Sequence, residues 1–434
     1  MSDAKEKAEI KAENELIAEV EDDDLMRMST SEIRREVVDG TKERFMVVST
    51  LARFASTDVF EGISSAMREL GHFTFPYYMD KMKAFLSVDF MLKDIVASAV
   101  SVRNGFTHIL FVGAVFIPRW VIDSIQRCGV KVLYWSLEDP HALDQNAKFH
   151  DWADYYFSNE VNTVKVLPKA FYLPTAGSAR VCMPPRVPLH KLPDNERNVF
   201  TNDVIFAGNV YPNRQKMLEE LDPFMTEKNY IFGIAGITAL MEDRENSPLR
   251  KRLINFKDSH GEELLEGVVD HNFFVLLYGY AKIVLNFERD SYFEYNEKFS
   301  TNRTHKLKGE SLNPRAYEIA LCGGGLQMID DKRAELQTGK ALVPGEHCVV
   351  FKDIPDLKKK IEYYLTHEKE RMKIVLQARQ HASKNHNYTN RVSRMLMYIR
   401  LKEGRKAQVA EQVKGMIQNG QMNLKQPKKI EPKK

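Results

Sequence analysis

The chain has 434 residues, of which 43% are hydrophobic and 28% charged, with a net charge of +3. That balance excludes a fully disordered, collagenous or fibrous chain and leaves room for two or three domains of ~150 residues. It also excludes binding to nucleic acid or membrane through overall charge alone.

The first 24 residues carry ten acidic side chains against Lys5, Lys7 and Lys11, which reads as a solvated acidic head. The charged start, Met1 to Glu6, lacks the apolar segment of a secretory signal. No apolar run reaches the ~18 residues of a membrane span. Cys128, Cys182, Cys322 and Cys348 are scattered without C-x-x-C spacing, as expected of reduced thiols in the cytoplasm.

Strands and helices then alternate. Phe45–Ser49 reads as a buried strand and Asp58–Leu70 as a helix closed by Gly71. Thr107–Val112 is a second strand, followed by a helix over Ile117–Cys128. Lys131–Trp135 and Tyr155–Phe157 are two more strands. Pro174, Pro184, Pro185, Pro188 and Pro193 then suggest an extended connection, with the join near 185–200.

The alternation restarts with strand Val204–Phe206 and helix Asn213–Leu221. Strands follow at Tyr230–Ile234 and Ile283–Phe287, then helix Pro314–Leu321 and strands Leu326–Ile329 and Cys348–Phe351. Ile354–Leu365, Glu368–Lys384 and Tyr388–Lys402 are helical. From Lys402 onward nine basic residues face three acidic ones, which predicts a disordered basic tail.

Such alternation predicts parallel sheets covered on both faces. The expected layout is an acidic extension over 1–40 and Rossmann-like domains over 41–195 and 196–387. A C-terminal helix over 388–403 and a basic tail over 404–434 complete it. Ligand is expected in the central cleft that the two domains face, outside the carboxyl ends of the strands.

The densest chemical signal is 309–325. Pro314 suits a first helical turn and Asn313 can cap it. The positive end of that helix suits a diphosphate. Arg315 can hold phosphate oxygens, and Glu318, one turn on, can accept from the two hydroxyls of a ribose. Gly323, Gly324 and Gly325 stop the helix and permit close backbone approach. Each part also has a plain reading: Asn-Pro commonly starts a helix, Gly runs end them, and Arg315 could pair with Glu318 on a solvated face.

In the first domain Glu138, Asp139 and His141 follow a strand and could supply a general base. Asp139 is ranked first, against the alternative that Asp139-Pro140 merely starts a turn. Thr50 and Arg53 follow the first strand on another candidate cleft loop. Ser291–Gly309 is a long polar loop with Lys298, Arg303, His305, Lys306 and Lys308, suited to a lid, an anion contact or plain solvation. No metal site is expected, because Asp22-Asp23-Asp24 and Asp330-Asp331 lack the context of an Asp-x-Asp motif and the histidines lack ligand spacing.

The stretch 311–396 resembles the C-terminal domain of the CgeB-like (spore-maturation) glycosyltransferases, within the wider GT-B group. Ser311–Glu318 is similar to that family's asparagine–arginine–glutamate signature. Cys322-Gly323-Gly324, Pro344–His347 and His386–Arg391 resemble its later motifs. Leu133–Pro140 and Asp154–Asn159 resemble its N-terminal domain, and Val204–Asn209 with Arg214 the start of its second. The resemblance covers about residues 45–400.

It implies an α/β GT-B fold and a nucleoside-diphosphate sugar donor, with UDP-glucose the first guess and no obligatory metal or other cofactor. By the same resemblance Arg315 would hold the diphosphate and Glu318 the ribose, with Gly208, Asn209 and Arg214 approaching from the other side. Glu310 and Glu318 are spaced like the paired glutamates of many retaining GT-B enzymes, although their surroundings do not otherwise match. The acceptor is left open among protein, glycan and DNA carrying hydroxymethylated bases. A catalytically silent scaffold that keeps the fold is the other alternative.

Overall fold

The structure, a computed structural model, describes residues 25, 28–49, 57–113, 116–236, 241–254, 271–290 and 302–418. Thr50, Arg53, Lys298 and residues 1–24 and 419–434 of the expected tails lie outside that set. Chain contacts define a large unit, Lys42–Arg391, and a small one, Met1–Thr41 with Val392–Lys434.

The large unit holds two parallel sheets. The first contains β1 (Arg44–Val48), β2 (Phe73–Tyr77), β3 (His108–Val112), β4 (Lys131–Ser136), β5 (Tyr155–Ser158) and β6 (Ala170–Tyr172), in the order β2-β1-β3-β4-β5-β6. Helices α1 (Thr57–Glu69), α2 (Val88–Val100) and α3 (Arg119–Arg127) fall between its strands. The central strands β1, β3 and β4 are buried from their second residue onward, as parallel strands covered on both faces must be. Their aliphatic and aromatic side chains, each worth ~1.5–3 kcal/mol when fully buried, pack against Ile95, Val121, Ile122 and Ile125 of the helices.

The second sheet contains β7 (Val204–Ala207), β8 (Phe232–Ala235), β9 (Ile283–Asn286), β10 (Leu326–Asp330) and β11 (Val349–Phe351), in the order β11-β10-β9-β7-β8. Its main helices are α4 (Asp194–Phe200), α5 (Pro212–Glu227), α6 (His271–Tyr280), α7 (Pro314–Cys322), α8 (Ile354–Thr366) and α9 (Glu368–Asn385). In both sheets the chain reverses its direction of strand addition after the second strand. The crevice at such a switch point is where open α/β sheets take ligands. In the second sheet that crevice lies between the ends of β7 and β9.

Several expectations change in detail. The join at 185–200 is not uniformly extended, because α4 occupies its end. Asp194 and Glu196 sit in the first turn of α4, where the helix dipole favours acids, and Phe200 packs on Phe273 and Tyr280 of α6. Strand β2 carries Pro76, which its edge position tolerates. The C-terminal helix α10 (Tyr388–Gln418) runs well past Lys402, so the first part of the expected disordered tail is helical.

In the small unit, a helix spans Thr30–Asp39. It opens with a capping box in which Ser29 and Glu32 satisfy each other's backbone amides. Arg400 of α10 donates to the carbonyl of Glu36 in the last turn of this helix and to that of Thr41 just beyond its end. The buried residues Val392, Met395, Leu396 and Ile399 recur with helical spacing.

Candidate active site

Loops at the carboxyl ends of both sheets line one cavity of about 240 Å³. The first sheet contributes Glu138, Asp139 and His141 after β4, and Asn159 and Glu160 after β5. The second contributes Gly208, Asn209 and Arg214 after β7, Glu288 and Arg289 after β9, and Asn313, Arg315 and Glu318 from α7. Of the residues expected to act as base or to bind the donor after β4, after β7 and on α7, Glu138, Asp139, His141, Gly208, Asn209, Arg214, Asn313, Arg315 and Glu318 line this cavity, and Gly323 and Gly324 do not.

The α7 end is built as its sequence suggests. Asn313 accepts from the Ala316 amide at 3.1 Å and Pro314 stands in the first turn. The Asn313 and Asn286 side-chain amides pair with each other, and Arg315 donates to Asn286 Oδ1 at 3.2 Å. The Arg315 guanidinium also lies over the Phe206 ring, 5.4 Å from its centre. It can do so because residue 208 is glycine: a Cβ there would lie 2.0 Å from Arg315 Nη2, and φ at Gly208 is +148°.

Arg214, in the first turn of α5, is only 5% exposed and donates to the Asn209 carbonyl at 2.9 Å. Its buried Nε has no hydrogen-bond partner among the described residues. Burial, and then the charge of Arg315, hold its pKa below the ordinary arginine value. Two guanidinium groups pressed together in this way favour an anion between them.

Two further arginines were not singled out by sequence. Arg289 follows β9, lies 4.7 Å above the Tyr211 ring and approaches Glu138 at 3.5 Å. Arg333 is buried, pairs with Glu288 at 3.2 Å, and donates to the carbonyls of Arg289 and Gly309. It thereby braces both the Arg289 turn and the segment leading to α7. Glu160 was also missed. Its buried carboxylate accepts from the amides of Asn162, Glu310 and Ser311, fastening the approach to α7 onto the first sheet's loops. The available signal for Arg289 and Glu160 was position alone, just beyond a strand's carboxyl end.

Glu138, Asp139 and His141 occupy different environments. Asp139 is 3% exposed, and its carboxylate accepts from Asn146 at 2.9 Å, Tyr156 at 3.1 Å and Ser158 at 2.7 Å. Those bonds, with Asn159 spanning its backbone N–H and carbonyl, make Asp139 the anchor of its turn. The first-ranked base is thus a carboxylate already committed to neighbours.

Glu138 faces the cavity with 49% of its side chain accessible. Desolvation by the cavity walls raises its pKa above the usual glutamate value, partly countered by Arg289. His141 is held neutral, with its pKa well below the usual imidazole value, by burial and by Arg289, Arg333 and Arg214.

The remaining expectations resolve by position. Gly323 ends α7 in the left-handed conformation, φ +63°, and a Cβ on Gly324 would lie 1.8 Å from the Gly279 carbonyl oxygen. Both serve the packing of α7, and neither lines the cavity among the described residues. Glu310 lies outside the lining too. From the polar loop, the backbone amides of Arg303 and Thr304 donate to Asp144, so this part of the loop is docked rather than solvated. No described group of three or more His, Cys, Asp or Glu could hold a metal ion, and no described helix is long and apolar enough to cross a membrane.

Two parallel α/β sheets with a shared cavity at their carboxyl ends define the GT-B fold. The Anabaena protein HepE, solved in complex with UDP and glucose, has a similar structure at a TM-score of 0.52 and 8% identity, covering 82% of this chain and 99% of that one. The α,α-trehalose 6-phosphate synthase of Burkholderia multivorans gives a TM-score of 0.50 at 10% identity, covering 86% and 100%. By sequence, residues 247–397 match the family described as glycosyl transferase-like. The chain is also similar to the spore protein CgeB of Bacillus subtilis, 24% identical over 261 residues, which are 59% of this chain and 71% of that protein.

Proposed function

We propose that this chain is a glycosyltransferase that moves a hexose, with glucose the first candidate, from a nucleoside-diphosphate sugar to a hydroxyl acceptor. The observation that carries the reading is the convergence of Arg214, Arg289 and Arg315 on one cavity. Three guanidinium groups beside the N-terminal end of α7 suit the charge that grows on a departing diphosphate. The glycosyl transferase-like match across 247–397, which contains Arg289, Arg315 and Glu318, supports the same reading, as does the UDP and glucose complex of HepE.

In this reading Arg214 and Arg315 hold the diphosphate and Glu318 accepts from the ribose hydroxyls. Gly208 leaves room for the Arg315 guanidinium. Glu138 acts as the base: its carboxylate takes the acceptor hydroxyl's proton while that oxygen bonds to the anomeric carbon. The bond from that carbon to the diphosphate oxygen breaks, and the electron pair leaves with the nucleoside diphosphate. Desolvation raises the proton affinity of Glu138 above that of an ordinary glutamate, which strengthens it as a base, whereas Asp139 fixes the turn. The arginines supply charge stabilisation without calling on a metal.

A thermal-shift panel of UDP, GDP, ADP, dTDP and their glucose conjugates tests the donor assignment, with Arg315→Ala and Glu318→Ala alongside. A ligand at 100 times its Kd stabilises the folded state by about 2.7 kcal/mol. One nucleotide should shift the wild type and neither variant. No shift with any nucleotide would refute the donor site.

A further inference from the structure

The ion pair between Glu138 and Arg289 joins the loop after β4 to the loop after β9 at 3.5 Å. Both side chains line the cavity, so a donor and a base are set to contend for one guanidinium. The competing attractions differ in strength. Glu138 offers a single charge that is about half exposed, and such pairs are worth little. A diphosphate offers at least two charges and several acceptor oxygens, which arginine recognises well. Arg289 also lies over the Tyr211 ring, and Arg214 lies over the same ring at 5.2 Å. That shared ring brings Arg289 into the same cluster as the proposed diphosphate ligand.

We propose that Arg289 is a donor-operated latch on Glu138: it holds the carboxylate's charge until a nucleoside diphosphate draws it away, and Glu138 then becomes the stronger base. This rests on the donor reading of the cleft and adds a coupling to it. While Arg289 stays on Glu138 its charge lowers the carboxylate's proton affinity, so donor binding strengthens the base. The pair also weakens donor binding, because Arg289 must give up Glu138 in order to reach the diphosphate. Once released, the carboxylate loses the cation paired with it, which raises its proton affinity further. The guanidinium is a positioning group for the base and a binding group for the donor.

The test is calorimetric titration of the full chain with UDP, together with initial-rate kinetics of UDP-glucose consumption. Wild type, Glu138→Gln, Arg289→Gln and the double variant are compared, each first checked for a wild-type melting transition. Glu138→Gln should bind UDP about 2- to 5-fold more tightly, the size expected on removing a weak competing ion pair. Its donor KM should fall while kcat drops at least ~100-fold, as for loss of a general base. Arg289→Gln should bind UDP ~10-fold or more weakly. The double variant should match Arg289→Gln, because Glu138 has nothing to compete for once the guanidinium is gone.

Unchanged or weaker UDP binding by Glu138→Gln overturns the latch, and so does a tightening that persists without Arg289. Tightening with turnover preserved also overturns it, since the latch would then arm nothing. Failure of UDP and UDP-glucose to bind the wild type removes the donor reading itself, and the latch with it. An Arg315→Ala control, expected to lose UDP whether or not Glu138 is present, keeps the two failures distinguishable.

Discussion

Gly208→Ala perturbs the proposed donor site through a single methyl group. The new Cβ would lie 2.0 Å from Arg315 Nη2, whereas ordinary contact begins at 3.4 Å, so the guanidinium must retreat by about 1.4 Å. A charge-assisted hydrogen bond of ~2.9 Å stretched by that amount passes the ~3.5 Å limit beyond which it no longer counts as one. Its loss costs ~1.5–3 kcal/mol of donor binding, or ~10- to 150-fold in Kd. Stability falls for a separate reason. The +148° φ of residue 208 is hostile to alanine, at ~1–3 kcal/mol, partly offset by ~0.4–1 kcal/mol from a stiffer unfolded chain. Urea unfolding should therefore report a loss of about 1–2 kcal/mol, and titration with UDP the weaker binding. Arg315→Ala separates the two effects: in that background Gly208→Ala should still reduce stability but should no longer weaken UDP. Binding by Gly208→Ala within twofold of wild type would refute the placement of Arg315, and an affinity penalty that survived Arg315→Ala would refute the steric cause.

Three other substitutions probe different parts of the same machinery. Asp139→Asn places an amide NH2 among donors and should cost about 1–3 kcal/mol in denaturant unfolding, with kcat reduced less than ~10-fold; unchanged stability with a ~100-fold loss of kcat would restore Asp139 as the base. Glu160, pushed up to about 7 from 4.5 chiefly by burial, binds more protons folded than unfolded between those values. Its contribution is thus fully present below pH ~4.5 and is lost as pH rises through ~7, by at most about 3 kcal/mol. Wild type should lose stability relative to Glu160→Gln across that window, and a pH-independent difference would contradict the assignment. Gly324→Ala drives a methyl into the Gly279 carbonyl and should cost ~1–3 kcal/mol or more, with UDP affinity retained by the folded fraction; selective loss of UDP at full stability would return Gly324 to the donor site.

The central strands and the α7 end were legible because local chemistry decides them. Apolar runs such as Thr107–Val112 and Lys131–Trp135 can be buried only as covered strands, and Asn313-Pro314 caps a helix by its own short-range geometry. Strand β2 was obscured because Pro76 argues against a ladder unless the strand is known to lie at an edge. Gly323 and Gly324 suited either a ligand or a packed helix end until the Gly279 carbonyl was located against Gly324. Asp139 and Glu138 are adjacent carboxylates after one strand, and their separation into anchor and cavity-facing group depends on Asn146, Tyr156, Ser158 and Arg289. Glu160 and Arg289 are the hardest cases, because their partners lie about 150 residues away in the chain. A residue's type and spacing show what chemistry it can offer; the partner across the cleft decides whether that chemistry is spent on holding the fold or left for substrate.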